Sequence, residues 1–76
     1  MTTEKEKAKS LANLLSTRTG FGTKVKRTKK GEYAVYFREP FSKFSKTEIW
    51  SISHVHSDLL TRWPEFRDIK VEIRLD

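Results

Sequence analysis

Two periodicities divide this chain. Near its end apolar and polar residues alternate strictly, with Ile69, Val71, Ile73 and Leu75 set against Lys70, Glu72 and Arg74 within positions 68–75. Successive side chains of a strand point to opposite faces, so this stretch predicts a β-strand with one face on a core and one in water. Positions 20–38 carry the same signature twice, around Thr28-Lys29-Lys30-Gly31-Glu32. That sequence suits a type I turn at Lys29 and Lys30, with Gly31 left-handed in a G1 bulge. Pairing Thr28 with Glu32 then sets Arg27 against Tyr33, Lys26 against Ala34, Val25 against Val35 and Lys24 against Tyr36. Thr23, Val25, Tyr33, Val35 and Phe37 share one face with the stem of Arg27, while Lys24, Lys26, Ala34, Tyr36 and Arg38 share the other. A slip of one residue would exchange the faces and bury lysines, so the pattern supports its own register. Pro40, with no N–H to donate, closes the second strand.

The other period is helical. Ala8, Leu11, Ala12 and Leu15 recur at helical spacing, with Leu14 at the edge of their stripe. Thr2 or Thr3 supplies an N-cap, Glu4 and Glu6 complement the dipole of the first turn, and Gly20 suits the stop. The spacing predicts a helix over about residues 4–18. A second helix is signalled by the capping box Ser45-x-x-Glu48. Ile49, Ile52, Val55 or His56, Leu59 and Trp63 continue it, Trp50 and Leu60 widen its apolar stripe, and Pro64 ends it. Positions 50–56 also alternate, which fits a strand; the cap and the continuation through Arg62 favour the helix.

The element order is therefore α-β-β-α-β. It predicts an α+β fold, a three-stranded, mainly antiparallel sheet with two helices packed on one face. The last strand is expected antiparallel to the hairpin, although a helical crossover also permits parallel pairing. Between hairpin and second helix lies a loop-like segment with two phenylalanines, Phe41 and Phe44, each beside serine and lysine. Aromatic burial favours one or both folding back over the edge of the core. The alternative is a mobile aromatic-basic loop that stacks on bases or enters a partner's groove.

Composition narrows the picture. Seventy-six residues make one domain with a small core, its ends at 1–3 and 76 expected to fray. With no cysteine, neither disulfides nor a thiolate-bound metal can supplement that core. No run approaches the ~20 apolar residues of a membrane span, and the first residues lack the apolar stretch of a secretory signal. A soluble, cytoplasmic protein is expected, with no membrane partner, as a monomer or homodimer. The formal net charge is +6, from 16 Lys and Arg against 10 Asp and Glu, which favours polyanionic partners.

Catalytic chemistry finds little support. His54-Val-His56-Ser-Asp58 echoes the opening of the H-x-H-x-D-H signature of the metallo-β-lactamase superfamily, but Leu59 stands where the last histidine belongs. On a helix His54 and His56 point about 200° apart and cannot chelate one ion. They would share a face only on a strand, whereas His54 and Asp58 share one on a helix. No serine or threonine sits in a nucleophile elbow, and Gly20-Phe21-Gly22 precedes a strand where a dinucleotide loop must open a helix. The reading is a non-enzyme with no cofactor and no metal site.

The basic sheet face remains. Lys24, Lys26, Tyr36, Arg38, Lys70, Glu72 and Arg74 fall on the side away from the helices, five of the seven cationic, with Lys29 and Lys30 extending the charge at the hairpin tip. Cations displace counterions from phosphate, and an aromatic ring stacks on a base. The expectation is a nucleic-acid-binding module, for DNA or RNA, in which Tyr36 stacks and Arg38 pairs with phosphate or stacks as a plane. The layout is analogous to sheets that bind single strands through aromatics, although no RNP-type motif is present. The alternative mode is entry of the hairpin into a major groove as a two-stranded ribbon led by Lys24, Lys26, Lys29 and Lys30. Against this stands the plain fact that the wet face of an antiparallel sheet carries such residues for solubility alone. The rival function is a protein-interaction or inhibitor module anchored by Phe41, Phe44, Trp50 or Trp63, or self-association through the edge of the terminal strand.

Overall fold

A computed structural model describes residues 3–74. Helix α1, Glu4–Thr19, begins at Thr3, whose hydroxyl accepts from the Glu6 N–H while the Glu6 carboxylate accepts from the Thr3 N–H. Of the two threonines expected to cap it, Thr2 lies outside the described residues. The helix ends at Gly20, left-handed at φ 80°, whose N–H reaches the Ser16 carbonyl. Strands β1, Thr23–Arg27, and β2, Tyr33–Phe37, form the hairpin in the predicted register, from Arg27 opposite Tyr33 to Thr23 opposite Phe37. At its tip Gly31 has φ 85° and donates to the Thr28 carbonyl at 3.0 Å, while the Glu32 N–H donates to the Thr28 hydroxyl at 3.2 Å. Helix α2, Lys46–Arg62, is capped by Ser45 and Glu48 in the expected reciprocal box, so positions 50–56 are helical despite their alternation. No helix among the described residues is long and apolar enough to cross a membrane.

Two expectations are corrected. The sheet is mixed: β2 is central, β1 pairs with it antiparallel, and β3, Lys70–Ile73, pairs with it parallel, Val35 opposite Val71 and Phe37 opposite Ile73. Helix α2 carries the chain back along its own length, and β3 re-enters the sheet in the direction of β2, the pairing for which such a crossover is needed. The final strand is also shorter than its alternation suggests. Pro64–Asp68 form a 3-10 turn that draws Phe66 into the core, so Asp68 belongs to the turn and Leu75 lies outside the described residues.

The core is a single cluster drawn from both helices and one sheet face: Ala8, Leu11, Ala12 and Leu15 of α1, Val35 and Phe37 of β2, and Ile52 and Leu59 of α2, closed by Phe44, Phe66 and Ile69. The Thr23 hydroxyl donates to the Ala12 carbonyl at 2.8 Å and ties β1 to α1. Phe44 sets its ring edge-on to Phe21 and Phe37, with centroids 4.8 and 6.0 Å away. The loop phenylalanines thus part company: Phe44 is buried, whereas Phe41 keeps 45% of its surface exposed.

Candidate nucleic-acid interface

Alternation on three paired strands decides what stands on the side away from the core. Register places Lys24 beside Tyr36 and Tyr36 beside Glu72 in one row across the sheet; Lys26, Ala34 and Lys70 form the next row. Ala34 is 1% exposed although it lies outside the core cluster. A methyl between the stems of two lysines is a small floor that long side chains cover. Lys26, Arg38, Lys70, Glu72 and Arg74 are exposed, and Lys24 and Tyr36 are half-exposed. Lys29 and Lys30 stand exposed at the hairpin tip, beyond the rows.

The ion pairs among the described residues are Lys7–Glu4, Arg18–Asp58 and Arg62–Asp58, all on the helices. None of the sheet-face cations is neutralised by one. Instead they crowd each other. Lys24 is held below the ordinary lysine value, first by the charge of Lys26, then by desolvation, then by Arg74 and Arg38. Such a cluster is relieved by a bound anion. Tyr36 is pushed above the ordinary phenol value, chiefly by desolvation and next by the Glu72 carboxylate. Arg38 is steered by its backbone neighbours: its Nε–H donates to the Thr23 carbonyl at 3.3 Å, and its stem passes Gly22 so closely that a Cβ there would lie 2.9 Å from Arg38 Cδ.

At the β3 side of this face is an open depression of about 850 Å³, bordered by Lys24, Lys26, Tyr36, Phe41, Glu72 and Arg74. Half-buried Val71 and Ile73 add apolar wall. Phe41 reaches it because its N–H donates to the Arg74 carbonyl at 2.7 Å, pinning the start of the 3-10 turn Phe41–Lys43 to the end of β3. Sequence reasoning left Phe41 on a loop that caps the core edge, stacks on bases or anchors a protein partner; a parallel β3 brings it onto the basic face. Only the crossover direction carries that information, and no local signal does. Phe44 is in the core, Trp63 is half-buried beside Phe66, and Trp50, 63% exposed, lies over His54 on α2 with ring centroids 3.9 Å apart.

The histidine motif is dispersed by the helix. His54 contacts Trp50, Asp58 is engaged by Arg18 at 3.4 Å and Arg62 at 3.3 Å, and His56 is half-buried with its Nε2 unpartnered. Among the described residues no three His, Asp or Glu side chains are grouped to hold a metal ion. No protein-family model matches the chain, and no curated protein or solved structure is significantly similar to it.

Proposed function

We propose that the chain is a non-enzymatic, cytoplasmic nucleic-acid-binding module that holds the phosphate backbone on its basic sheet face. One observation carries this reading: Lys24, Lys26, Arg38, Lys70 and Arg74 stand together on an open surface, with none of them in an ion pair among the described residues. A solvated face would gain by interspersing acids, and this one holds a single acid, Glu72. Lys29 and Lys30 extend the track at the hairpin tip, and Tyr36 offers a ring at its centre.

The test is a binding titration against single- and double-stranded oligonucleotides at several salt concentrations. Log affinity should fall with log salt by about 0.7 per single-strand phosphate neutralised, or about 0.9 per duplex phosphate. Replacing Lys24, Lys26 and Arg38 together by serine should abolish binding while leaving the circular dichroism spectrum unchanged. Full binding by that variant would exclude this surface.

Phe41 and Trp50 are large apolar side chains left exposed, and they favour a second reading, a protein-interaction module. There a partner should stay bound in high salt and be released by Phe41→Ala or Trp50→Ala. Phe44, being buried, is no anchor in either reading.

A further inference from the structure

The depression holds a feature that backbone binding does not need. A carboxylate repels phosphate, yet Glu72 stands in the same row as Tyr36 and on the rim shared with Lys24, Lys26 and Arg74. Glu72 is exposed and forms no ion pair with any of them among the described residues. Two aromatic rings, Tyr36 and Phe41, border the same hollow, with apolar wall behind them. Aromatic rings to stack on, an exposed carboxylate beside the Tyr36 hydroxyl and cations at the rim together describe a site for a base that has left its stack.

The carboxylate selects among bases. Guanine presents adjacent N1–H and N2 amino donors with the O6 acceptor beside them. A carboxylate takes both donors at once, and a lysine or arginine takes the O6. Cytosine and adenine present one amino group next to a ring acceptor, which a carboxylate opposes; thymine and uracil present one ring N–H between two carbonyls. We propose that the hollow between Tyr36, Phe41 and Glu72 is a nucleobase pocket for single-stranded nucleic acid that prefers guanine, with Glu72 reading its Watson–Crick edge. The proposal rests on the nucleic-acid reading above and refines it: Lys24, Lys26 and Arg38 hold the strand, and Glu72 chooses the base.

A short thymidine oligonucleotide, its versions carrying one central guanosine or one central inosine, and a duplex of the guanosine strand with its complement form the probe set, read by fluorescence anisotropy. The guanosine strand should bind about tenfold more tightly than the thymidine strand, the scale of a bidentate base contact. Inosine keeps the purine ring and the O6 but lacks the N2 amino group, so it should lose most of that preference. Glu72→Gln should bring the guanosine and thymidine strands to equal affinity without weakening the thymidine strand. Phe41→Ala should weaken single strands about fivefold or more and leave the duplex unaffected. Equal affinity of the wild-type protein for the guanosine and thymidine strands would overturn the pocket while leaving backbone binding in place, as would an unchanged preference in Glu72→Gln. Absence of binding to every probe would overturn both.

Discussion

A few residues hold positions that no neighbour in their class could fill. Gly31 is left-handed at the hairpin tip, and an L-residue with a Cβ meets the following carbonyl there. Gly31→Ala should cost roughly 1–2 kcal/mol in denaturant unfolding. Gly22 is needed for room: an alanine methyl would press on the stem of Arg38, which is flexible and can swing away. Gly22→Ala should therefore leave stability nearly unchanged and weaken oligonucleotide binding by displacing Arg38. His56 behaves differently, because burial alone holds it below the ordinary histidine value of 6.5 and its Nε2 has no partner. The unfolded chain binds the proton first, so the stability lent by neutral His56 is full above pH 6.5 and is lost as pH falls through the lower, folded-state value. Melting temperature measured against pH should show this decline, and His56→Leu should flatten it in that window.

Each helix starts from the same device with different geometry. In α2 the Ser45 N–H donates to Glu48 at 2.8 Å, while in α1 the corresponding Thr3–Glu6 bond is 3.5 Å. Removal of such a cap typically costs about 1 kcal/mol, and the hydroxyl bonds that Ser45→Ala and Thr3→Ala take away are alike, 3.2 and 3.1 Å, so each should lose about that much in chemical denaturation. The loop between β2 and α2 divides its labour between two phenylalanines three residues apart. Phe44 completes the core beside Phe21 and Phe37, and Phe44→Ala should cost roughly 3–5 kcal/mol, a large share of the ~5–15 kcal/mol that holds a domain together. Phe41, half outside, should cost little when truncated. Both phenylalanines sit in the same composition of serine and lysine, so the sequence could offer them only the same prospects. Their fates diverge because the 3-10 turn aims one ring inward and pins the other against β3.

The molecule is a thin two-layer body, with principal extents of 37 × 28 × 16 Å, so nearly the whole reverse of the sheet is available as one surface. The charge cluster on it couples binding to pH. Lys24 is held below 10.5 by Lys26, by desolvation, and by Arg74 and Arg38; a bound polyanion opposes that push and drives Lys24 to take up a proton. Oligonucleotide affinity at fixed ionic strength should therefore begin to fall at a lower alkaline pH than free lysine would lose its charge, and Lys24→Gln should remove the early part of the decline. Added salt should damp this dependence, since exposed charges are screened over about 10 Å at 0.1 M.

Much of this protein is written locally. A turn glycine, two capping boxes, a stripe at helical spacing and strict alternation in the hairpin each act within a few residues, and they determined the element order, the β1–β2 register and which strand residues share the lysine-bearing side. The direction in which β3 joins the sheet is a different kind of quantity. Parallel and antiparallel pairing use the same alternating strand, and the choice depends on where α2 delivers the chain once its stripe has settled on α1 and the core. That choice placed Glu72 beside Tyr36 and brought Phe41 to the end of β3. Strand β2 and the loop after it meet there with a strand that lies beyond α2 in the sequence, and the pocket they form exists only in the folded molecule.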